Sequence, residues 1–175
     1  RGTDRMMPTV AVTRYVTPLR EGGSLPVYGG AAVAHKISEL LHHWSGKAPN
    51  APEYAFAVAT QDHHIDPGGH FSPNPDFVDS WPPHCVAGSD GVAFHPNLDP
   101  QPFDAVFLKG EHAAAYSGFE GKAPDGSSLA DWLRSHEVSH VDVCGLATDY
   151  CVRATALDAV RNGFETRLLE RLCAG

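Results

Sequence analysis

The segment Val141-Asp-Val-Cys-Gly-Leu-Ala-Thr-Asp-Tyr-Cys151-Val-Arg-Ala-Thr-Ala-Leu-Asp-Ala-Val160 constrains the fold more than any other. Val141, Val143 and Leu146 make a short buried strand. After a sharp turn, Val152, Ala156, Ala159, Val160 and Phe164 recur at helical spacing, and Gly163 closes the helix as a C-terminal glycine. A strand that runs directly into a helix is half of a βαβ unit. The same turn puts the thiol of Cys151 on the first turn of the helix. Backbone N–H groups there have no intrahelical partner and carry the positive end of the dipole, so they favour a thiolate and can hold a developing oxyanion. The competing reading of Cys151 is a buried small hydrophobe, which is what free cysteines usually are.

Other segments extend the alternation. Val10 to Val12 suits a first strand, and Ala31–Trp44 a helix with Val33, Ile37, Leu40, Leu41 and Trp44 on one face. Strands follow at Ala55–Ala59 and Ala105–Leu108. A short helix at Leu129–Arg134 has Ser127 or Ser128 as its N-cap. The strand at Val141–Gly145, the Cys151 helix and a strand at Thr166–Leu169 complete the series. Strands alternating with helices predict an α/β fold, a mostly parallel sheet with helices on both faces. With 175 residues, 42% of them hydrophobic, the chain is expected to form one domain over 1–175 with loops to spare.

A second group of chemically capable residues lies beyond the strand at Ala55–Ala59. In Asp62-His-His64, the outer two side chains share one side of an extended backbone, and Pro67, Gly68 and Gly69 let His70 return to them. His84 can join from the next loop. One carboxylate and three imidazoles suit a single divalent ion, zinc, iron or manganese, and the nitrogen and oxygen donors argue against a soft thiolate site. Solvated surface histidines are the alternative, and His42, His43, His63 and His112 are read that way. The loop from His70 to Pro102 carries no periodic segment. With Trp81 and His84 inside it, it reads as a metal-bound lid.

Formal charge is −8 with histidines neutral, which disfavours nucleic acid and anionic membranes as partners. No run of about 18 apolar residues and no signal peptide occurs, so a cytoplasmic protein is expected, as a monomer or homo-oligomer. Cys85, Cys144, Cys151 and Cys173 lack zinc-finger spacing and are expected to stay reduced, with Cys144 in the core.

The combination of Asp62-x-His64, His70, Trp81-Pro-Pro-His84-Cys, Phe107-Leu-Lys109-Gly, Tyr116-Ser-Gly-Phe-Glu-Gly and Gly145-Leu-Ala-Thr-Asp-Tyr-Cys151-Val resembles the nicotinamidases (pyrazinamidases) of the isochorismatase-like cysteine hydrolases. The likeness spans about residues 21–169. It implies a three-layer sandwich that hydrolyses nicotinamide or pyrazinamide. Cys151 would attack the carboxamide and form a thioester, with ammonia leaving first and nicotinate second. Lys109, on the turn after its strand, matches the lysine that favours the thiolate. A cis peptide would precede Ala147, and the N–H groups of Ala147 and Cys151 would form the oxyanion hole. Asp62, His64, His70 and His84 match the metal ligands. Trp81, Tyr116 and Tyr150 match positions around the substrate ring.

One departure stands out. The family's opening strand ends in an aspartate that shuttles protons for the cysteine, and counting back from Glu21-Gly-Gly-Ser-Leu puts Arg14 there, with Pro18 and Leu19 replacing a second aspartate and a phenylalanine. An arginine cannot accept or return a proton, since its pKa lies above ~12. Losing a positioned acid/base costs about 10²–10⁴-fold in rate, so weak or absent turnover with a retained metal site is expected. The chain also stops at Gly175, where the family continues, so the last helix and strand are expected to be missing. Two alternatives follow: a catalytically inactive metal-binding homologue, and a related cysteine hydrolase of another small amide.

Overall fold

The computed structural model describes residues 9–13, 24–46, 49 and 53–175. Arg14, Pro18, Leu19 and Glu21 lie outside the described residues.

Five strands form one sheet: β1 (Thr9–Thr13), β2 (Phe56–Asp62), β3 (Ala105–Lys109), β4 (His140–Leu146) and β5 (Glu165–Ala174). Their spatial order is β3-β2-β1-β4-β5, with every neighbouring pair parallel. Helix α1 (Gly30–Ser45) covers one face, and α2 (Leu129–Ser135) and α3 (Arg153–Arg161) cover the other. The strand period of two divides the core accordingly. Val10, Ala57 and Cys144 pack with Val33, Ile37 and Leu41 of α1. Their chain neighbours Ala11, Val58 and Val143 pack with Leu129, Leu133 and Ala159. This is the three-layer α/β sandwich expected from the alternation of elements.

Several boundaries moved. β2 runs on to Asp62 and β3 to Lys109 because the two strands stay in register to their ends, Gln61 opposite Leu108 and Asp62 opposite Lys109. Lys109 is therefore the last residue of its strand, not part of the following turn. β5 extends to Ala174, past the expected Leu169. It leaves register with β4 after Val143 and regains it with Gly145 opposite Cys173. Of the two candidate caps for α2, Ser128 caps it, its hydroxyl accepting the Asp131 N–H at 3.1 Å. Cys151 lies in a π-helical turn, Thr148–Val152, that leads into α3 rather than inside a regular first turn. Val160, assigned to the apolar face of that helix, is exposed.

The segment from His70 to Pro102 carries one 3₁₀ turn, Asp90–Val92, and is tied back on itself. Trp81 donates its N–H to the His70 carbonyl at 2.8 Å, and Ser72 donates to the Trp81 carbonyl at 3.0 Å. Asp76 gathers the N–H groups of Val78, Asp79 and Ser80 onto one carboxylate oxygen. These bonds hold its carboxyl well below the usual carboxylate range. Among the described residues no helix is long and apolar enough to cross a membrane.

Candidate functional site

The carboxyl ends of β2, β3 and β4 carry Asp62, Lys109 and, one turn beyond, Cys151. Open parallel sheets place ligand sites at this edge. The β2–β3 register makes Asp62 and Lys109 direct neighbours, and the Lys109 ammonium donates to Asp62 Oδ1. It also donates to the Ala115 carbonyl at 2.8 Å and lies 3.5 Å from Cys151 Sγ. Asp62, Lys109 and Cys151 are all buried, at 2%, 1% and 0% exposure. A buried ammonium is tolerable only because a carboxylate and a carbonyl satisfy it. It also touches the Cys151 thiol.

The other oxygen of Asp62 faces the histidines, with Oδ2 3.9 Å from His64 Nε2. One donor atom from each of His64, His70 and His84 falls within 4.8 Å of the others, and all three rings are buried. Their centroids lie 5.0–5.3 Å apart. His64 Nδ1 is 2.6 Å from the Gly110 carbonyl, and His84 Nδ1 is 2.8 Å from the Pro82 carbonyl. A carbonyl only accepts, so both rings carry their proton on Nδ1 and keep a lone pair on Nε2. That is the tautomer a metal-ligating imidazole needs, fixed by the kind of outer partner such ligands usually have. Three nitrogens and a carboxylate oxygen fit one divalent cation.

Above this floor stands an aromatic wall. Trp81 and Tyr150 meet edge to face at 5.2 Å, Tyr116 and Tyr150 lie 5.6 Å apart, and the Trp81 indole N–H points to the Tyr116 hydroxyl at 3.3 Å. A cleft of roughly 210 Å³ opens between Trp81, Tyr150, Ala147, Asp149 and the segment Leu25–Tyr28. The Leu146–Ala147 peptide is cis, as the resemblance implied. The Ala147 carbonyl accepts from Tyr150 and Val152, so the turn carrying Cys151 is anchored on the residue that follows the cis bond.

Of the residues singled out in the sequence, Asp62, His64, His70, His84, Trp81, Lys109, Tyr116, Ala147, Tyr150 and Cys151 lie in this region, and Arg14 is outside the described residues. Of the histidines read as solvated, His42, His43 and His112 are exposed. His63 is a correction: it is half-buried, with Nδ1 3.0 Å from Glu111 Oε1. Three residues to which the sequence assigned no place in the site border it. Phe71 packs against all three histidine rings at 5.2–5.9 Å. Gly110 lies so close to His64 that a β-carbon there would be 2.6 Å from the ring. Cys85 is buried at a left-handed φ of 49°, with its sulfur within 4.8 Å of donor atoms of Asp62 and His84. Its adjacency to His84 was the one signal in the sequence.

A parallel α/β sheet that brings a buried thiol, ammonium and carboxylate into contact beside a histidine cluster defines the class: an α/β protein whose sheet edge carries a thiol next to a group of side chains that could hold a metal ion. The chain belongs to the isochorismatase domain family, whose model matches residues 12–175. It is 56% identical over 155 residues to the nicotinamidase/pyrazinamidase of Mycobacterium tuberculosis, covering 89% of this chain and 80% of that one. It is 35% identical to the nicotinamidase of Escherichia coli, covering 88% and 76%. Among solved structures, PnC1 from L. infantum in complex with nicotinate superposes with a TM-score of 0.80 at 35% identity, covering 97% of this chain and 82% of that one. The pyrazinamidase of Pyrococcus horikoshii in complex with zinc gives 0.78, also at 35% identity, covering 96% and 86%.

Proposed function

We propose that the chain is a nicotinamidase: it hydrolyses nicotinamide, and pyrazinamide, to the pyridine or pyrazine carboxylate and ammonia through a thioester on Cys151. The observation that carries this reading is the buried contact of Cys151 Sγ with Lys109 Nζ at 3.5 Å, beside the cluster of His64, His70 and His84. A thiol held against an ammonium suits attack on an amide carbon. The histidines and the Trp81, Tyr116 and Tyr150 wall suit a flat heteroaromatic ring.

In the first half-reaction the sulfur bonds to the carboxamide carbon and the carbonyl electron pair moves onto oxygen, towards the N–H groups of Ala147 and Cys151. The pair returns, the C–N bond breaks, and the amine leaves as ammonia with the proton released from the thiol. In the second, water adds to the thioester carbon, the C–S bond breaks, the water's hydroxyl stays on carbon in the released acid and its other proton returns to sulfur, regenerating the thiol. Trp81 and Tyr116 orient the ring and exclude water from the first step. Asp62, His64, His70 and His84 would hold a divalent ion, zinc, iron or manganese, which when bound would fix the ring nitrogen of the substrate or order a water. Lys109 stabilises the sulfur anion. The product acid and ammonia fit a role in recycling nicotinamide towards pyridine nucleotides inside the cell.

Both half-reactions move a proton between sulfur, substrate and water, and Arg14 takes the place of the residue that would carry it. Arg14 favours a second reading, a metal-retaining homologue that binds the amide and turns it over poorly. Ammonia release from nicotinamide, measured on this chain and on Arg14→Asp, distinguishes the two. The variant is expected to be faster by about 10²-fold or more. Equal high activity in both would refute the role given to position 14. Calorimetric binding of nicotinamide to metal-loaded chain without ammonia release in either protein would favour the binder.

A further inference from the structure

We infer that Asp76 and Phe77 are positioning residues for the substrate ring, because the turn they open holds the side chains of Trp81 and Tyr150 in place. The inference rests on the aromatic wall proposed above as the seat of that ring, and adds the device that sets the wall.

Asp76 builds the turn. Its Oδ1 accepts the N–H groups of Val78, Asp79 and Ser80 at 2.9, 3.0 and 2.9 Å, and the Ser80 hydroxyl at 2.9 Å. Phe77 N–H closes the same turn on the Ser80 carbonyl at 3.1 Å. Held in this way, Phe77 takes a φ of 59°, which is an outlier for a bulky side chain and a kind of outlier that gathers at functional sites. Phe77 is also 57% exposed, so burial in the core does not offset that conformation. What the conformation provides is contact with the wall.

The Phe77 ring meets Trp81 edge to face, with centroids 6.1 Å apart and planes at 81°. Its carbonyl faces the Tyr150 hydroxyl at 3.5 Å. The turn then runs directly into Trp81, whose backbone is pinned by the His70 carbonyl and the Ser72 N–H. Only the side-chain torsions of the indole remain free, and they are limited by Phe77 and by Tyr150, whose ring lies 5.2 Å away at 88°. Tyr150 belongs to the π-helical turn that carries Cys151. Phe77 thus ties the loop carrying Trp81 to the turn carrying the nucleophile. Rings already in place spare a flat heteroaromatic amide the entropy of ordering them as it binds.

The acceptor geometry gives the test its resolution. All four donors converge on one oxygen, so the amide oxygen of asparagine can replace it, whereas alanine offers none. Glycine at position 77 keeps the left-handed backbone and removes the ring.

Calorimetric binding of nicotinamide to the zinc-loaded full chain, and the Zn²⁺ affinity of the stripped chain, are measured for the parent, Asp76→Ala, Asp76→Asn and Phe77→Gly. Asp76→Ala and Phe77→Gly are expected to bind nicotinamide about tenfold more weakly, the scale of one or two lost aromatic contacts, with Zn²⁺ affinity within about twofold of the parent. Asp76→Asn is expected to bind within about threefold of the parent. Phe77→Gly keeps the Asp76 bonds, so it decides the matter if Asp76→Ala fails to fold. Nicotinamide affinity within about twofold of the parent in either variant overturns the inference. So does a parallel loss of Zn²⁺ affinity, which would mean that the whole loop carrying His84 had loosened, and so does a loss in Asp76→Asn equal to that in Asp76→Ala. A parent chain that binds no nicotinamide, with or without zinc, overturns the reading of the wall itself, and this inference with it.

Discussion

Gly110→Ala tests how firmly the backbone after β3 sets the metal site. Gly110 follows Lys109 at φ 78°, and its carbonyl accepts the Nδ1–H of His64 at 2.6 Å. A β-carbon added there would lie 2.6 Å from His64 Cε1 and 2.8 Å from Nδ1, where ordinary contact begins at 3.4 Å. The imidazole would have to retreat by about 0.8 Å, beyond the roughly 0.5 Å that a ligand constellation tolerates. Its ring is hemmed in by His70, Phe71 and His84 with centroids at 5.0–5.2 Å, so the only way to retreat is to shift the other ligands. The hydrogen bond that fixes its tautomer is strained by the same movement. Disturbing such an outer partner costs about 10–100-fold in metal affinity, or about 1.4–2.8 kcal/mol.

A left-handed alanine separately costs about 1–2 kcal/mol of fold stability. Gly126→Ala separates the two effects, because Gly126 has φ 86° with nothing within 4 Å of the added carbon. The assay is titration of chelator-stripped protein with Zn²⁺ in competition with a chromophoric chelator, alongside urea unfolding of the metal-free forms. Both variants should lose similar stability, and only Gly110→Ala should lose metal affinity. A zinc affinity for Gly110→Ala within about twofold of the parent would refute the reasoning, since that is under 0.5 kcal/mol. An equal loss in Gly126→Ala would trace the effect to backbone strain rather than to His64.

Two further outcomes are expected. Lys109→Met leaves the Asp62 carboxylate buried without its ammonium; urea unfolding of metal-free protein should show a loss of about 3–5 kcal/mol, part of it recovered by added Zn²⁺, and ammonia release should vanish. Burial pushes the Cys144 thiol well above its ordinary value of 9.0, the neighbouring Cys173 adding to the effect. The folded chain then keeps a proton that the unfolded chain gives up, so stability is full below pH 9.0 and falls as pH rises above it. Unfolding midpoints followed from neutral to alkaline pH should decline, and Cys144→Ala should flatten the decline. An unchanged slope in that variant would assign the effect to another group.

The order of elements was legible because each strand and helix announces itself by periodicity, from the α1 face of Val33, Ile37 and Leu41 to the Val141, Val143 and Leu146 run. Catalytic and metal candidates were legible because they follow strand ends in a parallel sheet. What escaped has a common physical origin. The position of Lys109 within β3, the extension of β5 to Ala174 and the burial of His63 against Glu111 depend on which strand or loop lies alongside. Local pattern does not encode those neighbours. Gly110 matters only through its distance to His64, a histidine distant in sequence, and Phe71 packs on His64 and His84 as well as on its neighbour His70. A glycine or a cysteine in a loop looks the same whether or not an imidazole lies a few ångströms away.

The most consequential of these hidden facts is the β2–β3 register. Asp62 opposite Lys109 gives one carboxylate two roles, since Oδ1 takes the ammonium that touches Cys151 while Oδ2 faces the histidines. Side chains alternate faces along a strand, so a slip of one residue would turn Asp62 and Lys109 to opposite sides of the sheet. The core forbids that slip. It would carry Val58 and Phe107 away from α2 and α3, where both are fully buried. The coupling of thiol to cation site is thus enforced by hydrophobic packing several residues below the chemistry. The loops that supply His64, His70 and His84 then need only reach an anchor already set in place by the sheet.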